Sequence, residues 1–219
     1  MFYPNNGTSA SPFLFALEPY HAVCNYLAGQ MNFSGSLMQG DGHPVLVIPG
    51  LAASGAATLD LRTRLRDLGY AVYDWKHGIN GGHGHDLEGW MRMLGRQVEE
   101  LHDRHHSPIS IVGWSLGGAY ARELGHRHPS RIRQVITLAT PFGLMGESSL
   151  SESSGMPVRS TSIYSQTDGI VSWEKCVGPE SGQHRNIEVN GVSHFGMVHH
   201  PEILGVIAGL LGEPVMEHA

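Results

Sequence analysis

Cysteine is nearly missing from this chain of 219 residues: Cys24 and Cys176 are too few and too isolated for a disulfide framework or a zinc site. They are expected as inert, unpaired thiols. Charge is scarce too, at 16% Asp, Glu, Lys and Arg against about 25% in an average globular protein. No Lys or Arg precedes Arg62. The N-terminus therefore lacks the positive region of a secretory signal peptide, and a cytoplasmic location is the expectation. With 14 basic and 20 acidic side chains the formal charge is −6, so no nucleic-acid partner is expected. No apolar run reaches the ~18 residues of a membrane span. The nearest approach, Ile203 to Leu211, is short and contains Gly205 and Gly209, which argues against stable membrane insertion.

Glycine and histidine are what the chain has in excess. The 29 glycines are nearly double the usual ~7%, which implies many tight turns and close backbone approaches. Apolar residues at 41% argue against disorder, and the length suits one domain with a sizeable core. Protonating all 15 histidines would carry the formal charge from −6 to +9, so solubility should depend strongly on pH.

From His43 onward, short apolar runs alternate with glycine or polar turns and helical stretches. Val45-Leu46-Val47-Ile48, stopped by Pro49-Gly50, has the continuous apolar character of a strand buried on both faces. Leu59, Leu61, Leu65 and Leu68 predict a helix closed by Gly69, and Tyr70 to Trp75 a second strand. His77 to His85 reads as a glycine-rich loop. Asp86 caps a helix to about His105 with Leu87, Met91, Leu94, Val98 and Leu101 on one stripe. Further strands are predicted at Ile109–Gly113, Val135–Ala139, Ser160–Ser165 and Asn186–Asn190, with helices at Leu116–His126 and Pro201–Leu211. This alternation predicts an α/β fold: a mostly parallel sheet of about six strands flanked by helices, in three layers. Residues 1–42 read as an N-terminal segment packed on the core, with a helix at Phe13–Met31 and a polar linker at Asn32–Gly42. Residues 43–219 are expected to form the α/β domain, with a short lid-like insertion at 142–157.

Gly113-Trp114-Ser115-Leu116-Gly117, followed by Gly118, is a G-x-S-x-G pentapeptide entered by a buried strand and left by a helix. That setting is what a nucleophile elbow requires, with flanking glycines where a Cβ would collide. A serine hydroxyl needs a base, itself oriented by an acid, and the partners follow in the order Ser, Asp or Glu, His. Asp168, in a turn with Gly169 after a strand, is the preferred acid, with Glu147, Glu152 and Glu174 as competitors. His194, after the last strand, is the preferred base, with His199 and His200 as competitors. An oxyanion hole calls for two backbone N–H groups: Leu116, after the nucleophile, and Leu51, after the first strand.

Taken together, His43 to Gly50, Gly113 to Gly118 with Tyr120 to Glu123, Val135 to Pro141, Ser165 to Val171 and Gly191 to Phe195 resemble the α/β hydrolases of the bacterial esterase/lipase type. The resemblance implies a Ser–Asp–His triad, carboxylic ester hydrolysis through an acyl-enzyme, a small-molecule or lipid ester as substrate, and no cofactor. It departs from the family at the N-terminus, where two antiparallel strands are not evident, and after Pro141, where no large cap fits. Acyl transfer or thioester hydrolysis with the same triad, or a silent binding scaffold, are the competing readings. Trp114 and, in the insertion, Met145 and Met156 are candidate substrate contacts. His77, His83 and His85 read as a polar rim near the active-site mouth, with no metal expected. His105, His106, His126 and His128 lie at helix C-termini, where imidazolium suits the dipole.

Overall fold

The computed structural model describes residues 11–30, 39–145, 149 and 155–214. The helix α1 spans Pro12–Gln30, and the sequence then alternates strand and helix: β1 Pro44–Ile48, α2 Leu59–Asp67, β2 Ala71–Asp74, α3 Leu87–His105 and β3 Ile109–Trp114. After α4 (Leu116–Arg127) come β4 (Ile132–Leu138), β5 (Arg159–Tyr164), β6 (His184–Glu188) and α5 (Pro201–Leu211). All six strands pair in parallel, in the order β2-β1-β3-β4-β5-β6.

Side-chain alternation along the central strands generates the three layers. Val45 and Val47 of β1, with Val112 and Ile136, pack under Leu61 and Leu65 of α2 and Ile203, Ile207 and Leu211 of α5. Leu46 and Ile48, with Ile111 and Val135, face Met91, Leu94, Val98 and Leu101 of α3 and Ala119, Tyr120 and Leu124 of α4. A strand sandwiched this way has no solvent face, which is why β1 and β3 are apolar throughout. Leu59 alone of the α2 stripe stays exposed.

Two strands start earlier than their apolar residues suggest. β4 begins at Ile132, because Gln134 is buried and bonds sideways to Leu210 O (3.2 Å). It ends before Ala139, whose positive φ of 46° turns the chain out of the sheet. β6 begins at His184, a buried ring edge-on to Phe142 with centroids 6.0 Å apart, and stops at Glu188. Of the linker and insertion, only 39–42, 142–145, 149 and 155–157 lie among the described residues. Both cysteines are free, Cys24 exposed and Cys176 buried. No helix among the described residues is long and apolar enough to cross a membrane.

His126 and His128 behave differently from the expectation of dipole-stabilised cations. Burial pushes His43, His77, His126, His128, His184 and His200 below the usual imidazole range. Below the unfolded value of about 6.5 the unfolded chain then binds more protons than the native one. Stability is full above that value and is lost as pH falls toward the lowered folded values. Thermal melts followed by circular dichroism should therefore show a flat midpoint above about pH 7 and a declining one between about pH 6.5 and 5. A midpoint that rises on acidification contradicts this.

Candidate functional site

In a parallel sheet every carboxyl end lies at one edge, and ligands bind where the strand order reverses. Here β1 is followed by a crossover to β2 on one side, and the chain then passes to β3 on the other, so the reversal falls between β1 and β3. Ser115 sits at that point. It caps α4 with φ 53° and ψ −125°, a left-handed conformation that costs about 1–3 kcal/mol in a residue with a side chain. The turn is held by Ser115 N–H donating to Leu138 O (2.9 Å), Gly118 N–H to Ser115 O (2.9 Å) and Thr140 Oγ1 to Ser115 O (3.0 Å).

There is no room for side chains beside it. A Cβ at Gly113 would lie 2.5 Å from Gly117 O, and one at Gly117 would collide with the carbonyls of Ile48 and Pro49. The turn after β1 is equally close: a Cβ at Gly50 would lie 3.1 Å from Ser115 Cβ. Leu51 follows Gly50 and Leu116 follows Ser115, so both flank this contact. Gly82 of the glycine-rich loop lies against both side chains, which places that loop at the mouth. Ala52 N–H is bound to Asn80 O (2.7 Å) and Ala53 N–H to Gly50 O (3.2 Å), whereas Leu51 N–H has no acceptor among the described residues. Leu116 N–H, at the first position of α4, has no partner available within the helix.

Asp168 and His194 come together in the loops after β5 and β6. His194 Nδ1 lies 2.8 Å from Asp168 Oδ2, and both residues are 4% exposed. The second oxygen of Asp168 accepts the N–H groups of Ile170 and Val171, each at 2.8 Å, so the whole carboxyl is aimed. The competing base candidates lie elsewhere: His199 faces Asp60 of α2 (3.7 Å), and His200 caps α5. Among the acid candidates, Glu174 bonds to Ser172, Glu147 and Glu152 lie outside the described residues, and none of the described contacts brings a glutamate to His194. Ser115 Oγ makes no hydrogen bond among the described residues. Its link to the base runs through Trp114, whose Nε1 donates to His194 O (3.1 Å) and whose ring lies 5.5 Å from the imidazole.

Trp114 is therefore buried against the His194 loop and not exposed at the surface. Met145 and Met156 join the core cluster between α4 and the sheet. Met156 packs on Gly125, ten residues and about 15 Å along α4 from Ser115. Leu51, Ile170 and Phe195, which follow Gly50, Gly169 and His194 in the chain, are exposed apolar side chains. Among the described residues no group of three His, Cys, Asp or Glu side chains converges as a metal site. His77 and His83 instead pack edge-on against Trp75 and Tyr120.

No protein-family model matches the chain. A non-heme haloperoxidase candidate of Mycobacterium phage D29 is 31% identical over 109 residues, covering 48% of this chain and 38% of that protein. The chain thus spans well under half the length of the curated relatives it matches. A solved structure from Agrobacterium tumefaciens, described as a candidate α/β hydrolase of unknown function, superposes with a TM-score of 0.62 at 15% identity. It covers 84% of this chain and 94% of that one. This chain has the α/β-hydrolase fold. The monoacylglycerol lipase of Paleococcus ferrophilus, at 13% identity and a TM-score of 0.59, covers 80% of this chain and 96% of that one.

Three buried polar residues escaped the sequence reading. Glu18 and Asn25 reach the acid and base loops from α1. Asn80, fully buried, donates from Nδ2 to Pro49 O (2.9 Å), accepts Gly82 N–H (3.1 Å) and pins Ala53 through its own N–H (2.8 Å). Its only signal was an Asn inside a glycine run, which reads as an ordinary turn. Asn80→Ala strands Pro49 O and should cost about 1–3 kcal/mol, measured by urea unfolding. A variant as stable as the parent would show that the oxyanion turn is held by other contacts.

Proposed function

We propose that this protein is a serine hydrolase of carboxylic esters, working through Ser115, Asp168 and His194. The observation that carries the reading is the buried Asp168–His194 hydrogen bond placed, through Trp114, beside a serine held at positive φ. Bonded to Asp168, Nδ1 keeps its proton, and Nε2 is left to accept one. Ser115 Oγ attacks the ester carbonyl and passes its proton to Nε2. The tetrahedral oxyanion is stabilised by the N–H groups of Leu51 and Leu116, with the positive end of α4 behind them. His194 then returns the proton to the leaving alcohol, and an acyl-enzyme remains on Ser115. Water repeats the sequence: His194 takes its proton, the hydroxyl adds to the acyl carbon, and Ser115 Oγ leaves with that proton.

The strained backbone supports the nucleophile role, since a left-handed serine is retained only where surrounding structure over-determines it. Exposed apolar side chains next in sequence to Gly50, near Asp168 and next to His194, those of Leu51, Ile170 and Phe195, favour an acyl ester over a charged substrate. The fold likeness to a monoacylglycerol lipase points the same way.

With p-nitrophenyl butyrate as substrate, Ser115→Ala should abolish turnover, and Asp168→Asn should lower kcat by about 10⁴-fold through loss of the productive tautomer. Near-parental turnover by Asp168→Asn would move the acid role to another residue.

A further inference from the structure

Helix α1 is built inside out. Glu18 is the one Asp, Glu, Lys or Arg among its 19 residues, and it is 2% exposed, while Phe13, Phe15, Tyr20, Val23 and Leu27 face solvent. Burying a carboxyl costs several kcal/mol unless its oxygens are bonded, so the partners of Glu18 explain why it is there. Oε2 accepts Gly169 N–H at 3.0 Å, and Oε1 accepts Phe195 N–H at 3.1 Å. Gly169 is the residue after Asp168, and Phe195 is the residue after His194.

Asn25 repeats the arrangement two helical turns further on. Its Oδ1 accepts Ser193 N–H (2.8 Å), and its Nδ2 donates to Gly191 O (3.2 Å), so it grips the base loop just before His194. The helix backbone itself presses on the acid loop, where Leu14 O occupies the space a side chain at Gly169 would need. Leu14, Glu18 and Asn25, at spacings of four and seven, lie on one face of α1.

We propose that Glu18, assisted by Asn25, is a positioning residue that sets the Asp168–His194 geometry from outside the α/β layers. Two loops that leave neighbouring strands are free to splay. One carboxyl that accepts an N–H from each holds them at a fixed separation, which keeps the imidazole on the acid. Thr167 Oγ1, donating to Val192 O (3.1 Å), ties the same loops on the other side of the pair, from the residue before Asp168 to the second residue before His194. This proposal rests on the ester-hydrolase reading above.

Glu18→Gln keeps the shape of the side chain but turns one acceptor into a donor, which then faces an N–H. Activity should be measured per active site titrated with a fluorophosphonate, using p-nitrophenyl butyrate. A misplacement of the base by a fraction of an ångström to one ångström predicts a kcat lower by about 10- to 100-fold, with KM within about two-fold. The acidic limb of the pH profile of kcat/KM should also move, because the imidazolium loses part of its partner. A merely structural role lowers the melting temperature and the number of titratable sites but leaves both other readouts at parental values. That result, in folded Glu18→Gln, overturns the proposal. Should this variant fail to fold, Asn25→Ala carries the same test with the same two outcomes. If the unmutated protein neither turns over the ester nor takes up the fluorophosphonate, the ester-hydrolase reading itself fails, and this proposal falls with it.

Discussion

A turn with no space for a side chain governs this molecule. Where β3 runs into α4, Gly113 lies against Gly117 and Gly118, and Gly117 lies against the carbonyls that end β1. The first turn of α4 is thereby pressed between two strands, and Ser115 has no route but through a left-handed backbone. Because β1 ends in the same contact, the Gly50–Leu51 turn is carried to the nucleophile. Because Trp114 immediately precedes the serine, the same constraint delivers an indole N–H to His194 O. Ser115, the Gly50–Leu51 turn and the His194 loop are thus referred to one packed junction between the two inner strands of the sheet.

What the junction does not fix is held by buried polar side chains from segments outside the sheet. Asn80 braces the oxyanion turn, and Glu18 and Asn25 brace the loops of the acid and the base. Each of these groups is buried and bonds to backbone, which is the arrangement in which loss of one partner costs most. The hydrophobic layers supply bulk stability, whereas these few hydrogen bonds set geometry at the carboxyl edge. The helix α1 carries its polar groups inward and its aromatic side chains outward, the reverse of an ordinary surface helix.

That reversal explains what could be read in advance and what could not. β1, β3 and α3 announce themselves because a doubly buried strand and a one-sided helix leave unmistakable apolar patterns. The turn at Ser115 and the Asp168–His194 pairing are legible because each lies in a short segment after a strand. Glu18 and Asn25 are not, since their partners lie over 150 residues away, and a lone carboxylate on an apolar helix reads as its solvent-facing residue. The beginnings of β4 and β6 are hidden by Gln134 and His184, polar residues buried on local partners. Met145 and Met156 mislead for the opposite reason: a flexible apolar side chain in a polar insertion suggests a substrate track, but the gap behind α4 takes them.

The central claim is that the strained serine is the nucleophile served by the buried acid–base pair. It is tested most directly by treating the folded protein with a fluorophosphonate and mapping the adduct by peptide mass spectrometry. The account predicts one adduct, on Ser115, formed rapidly in the parent and slowly or not at all in His194→Ala. A folded protein that stays unmodified, or an adduct on another residue, would contradict it.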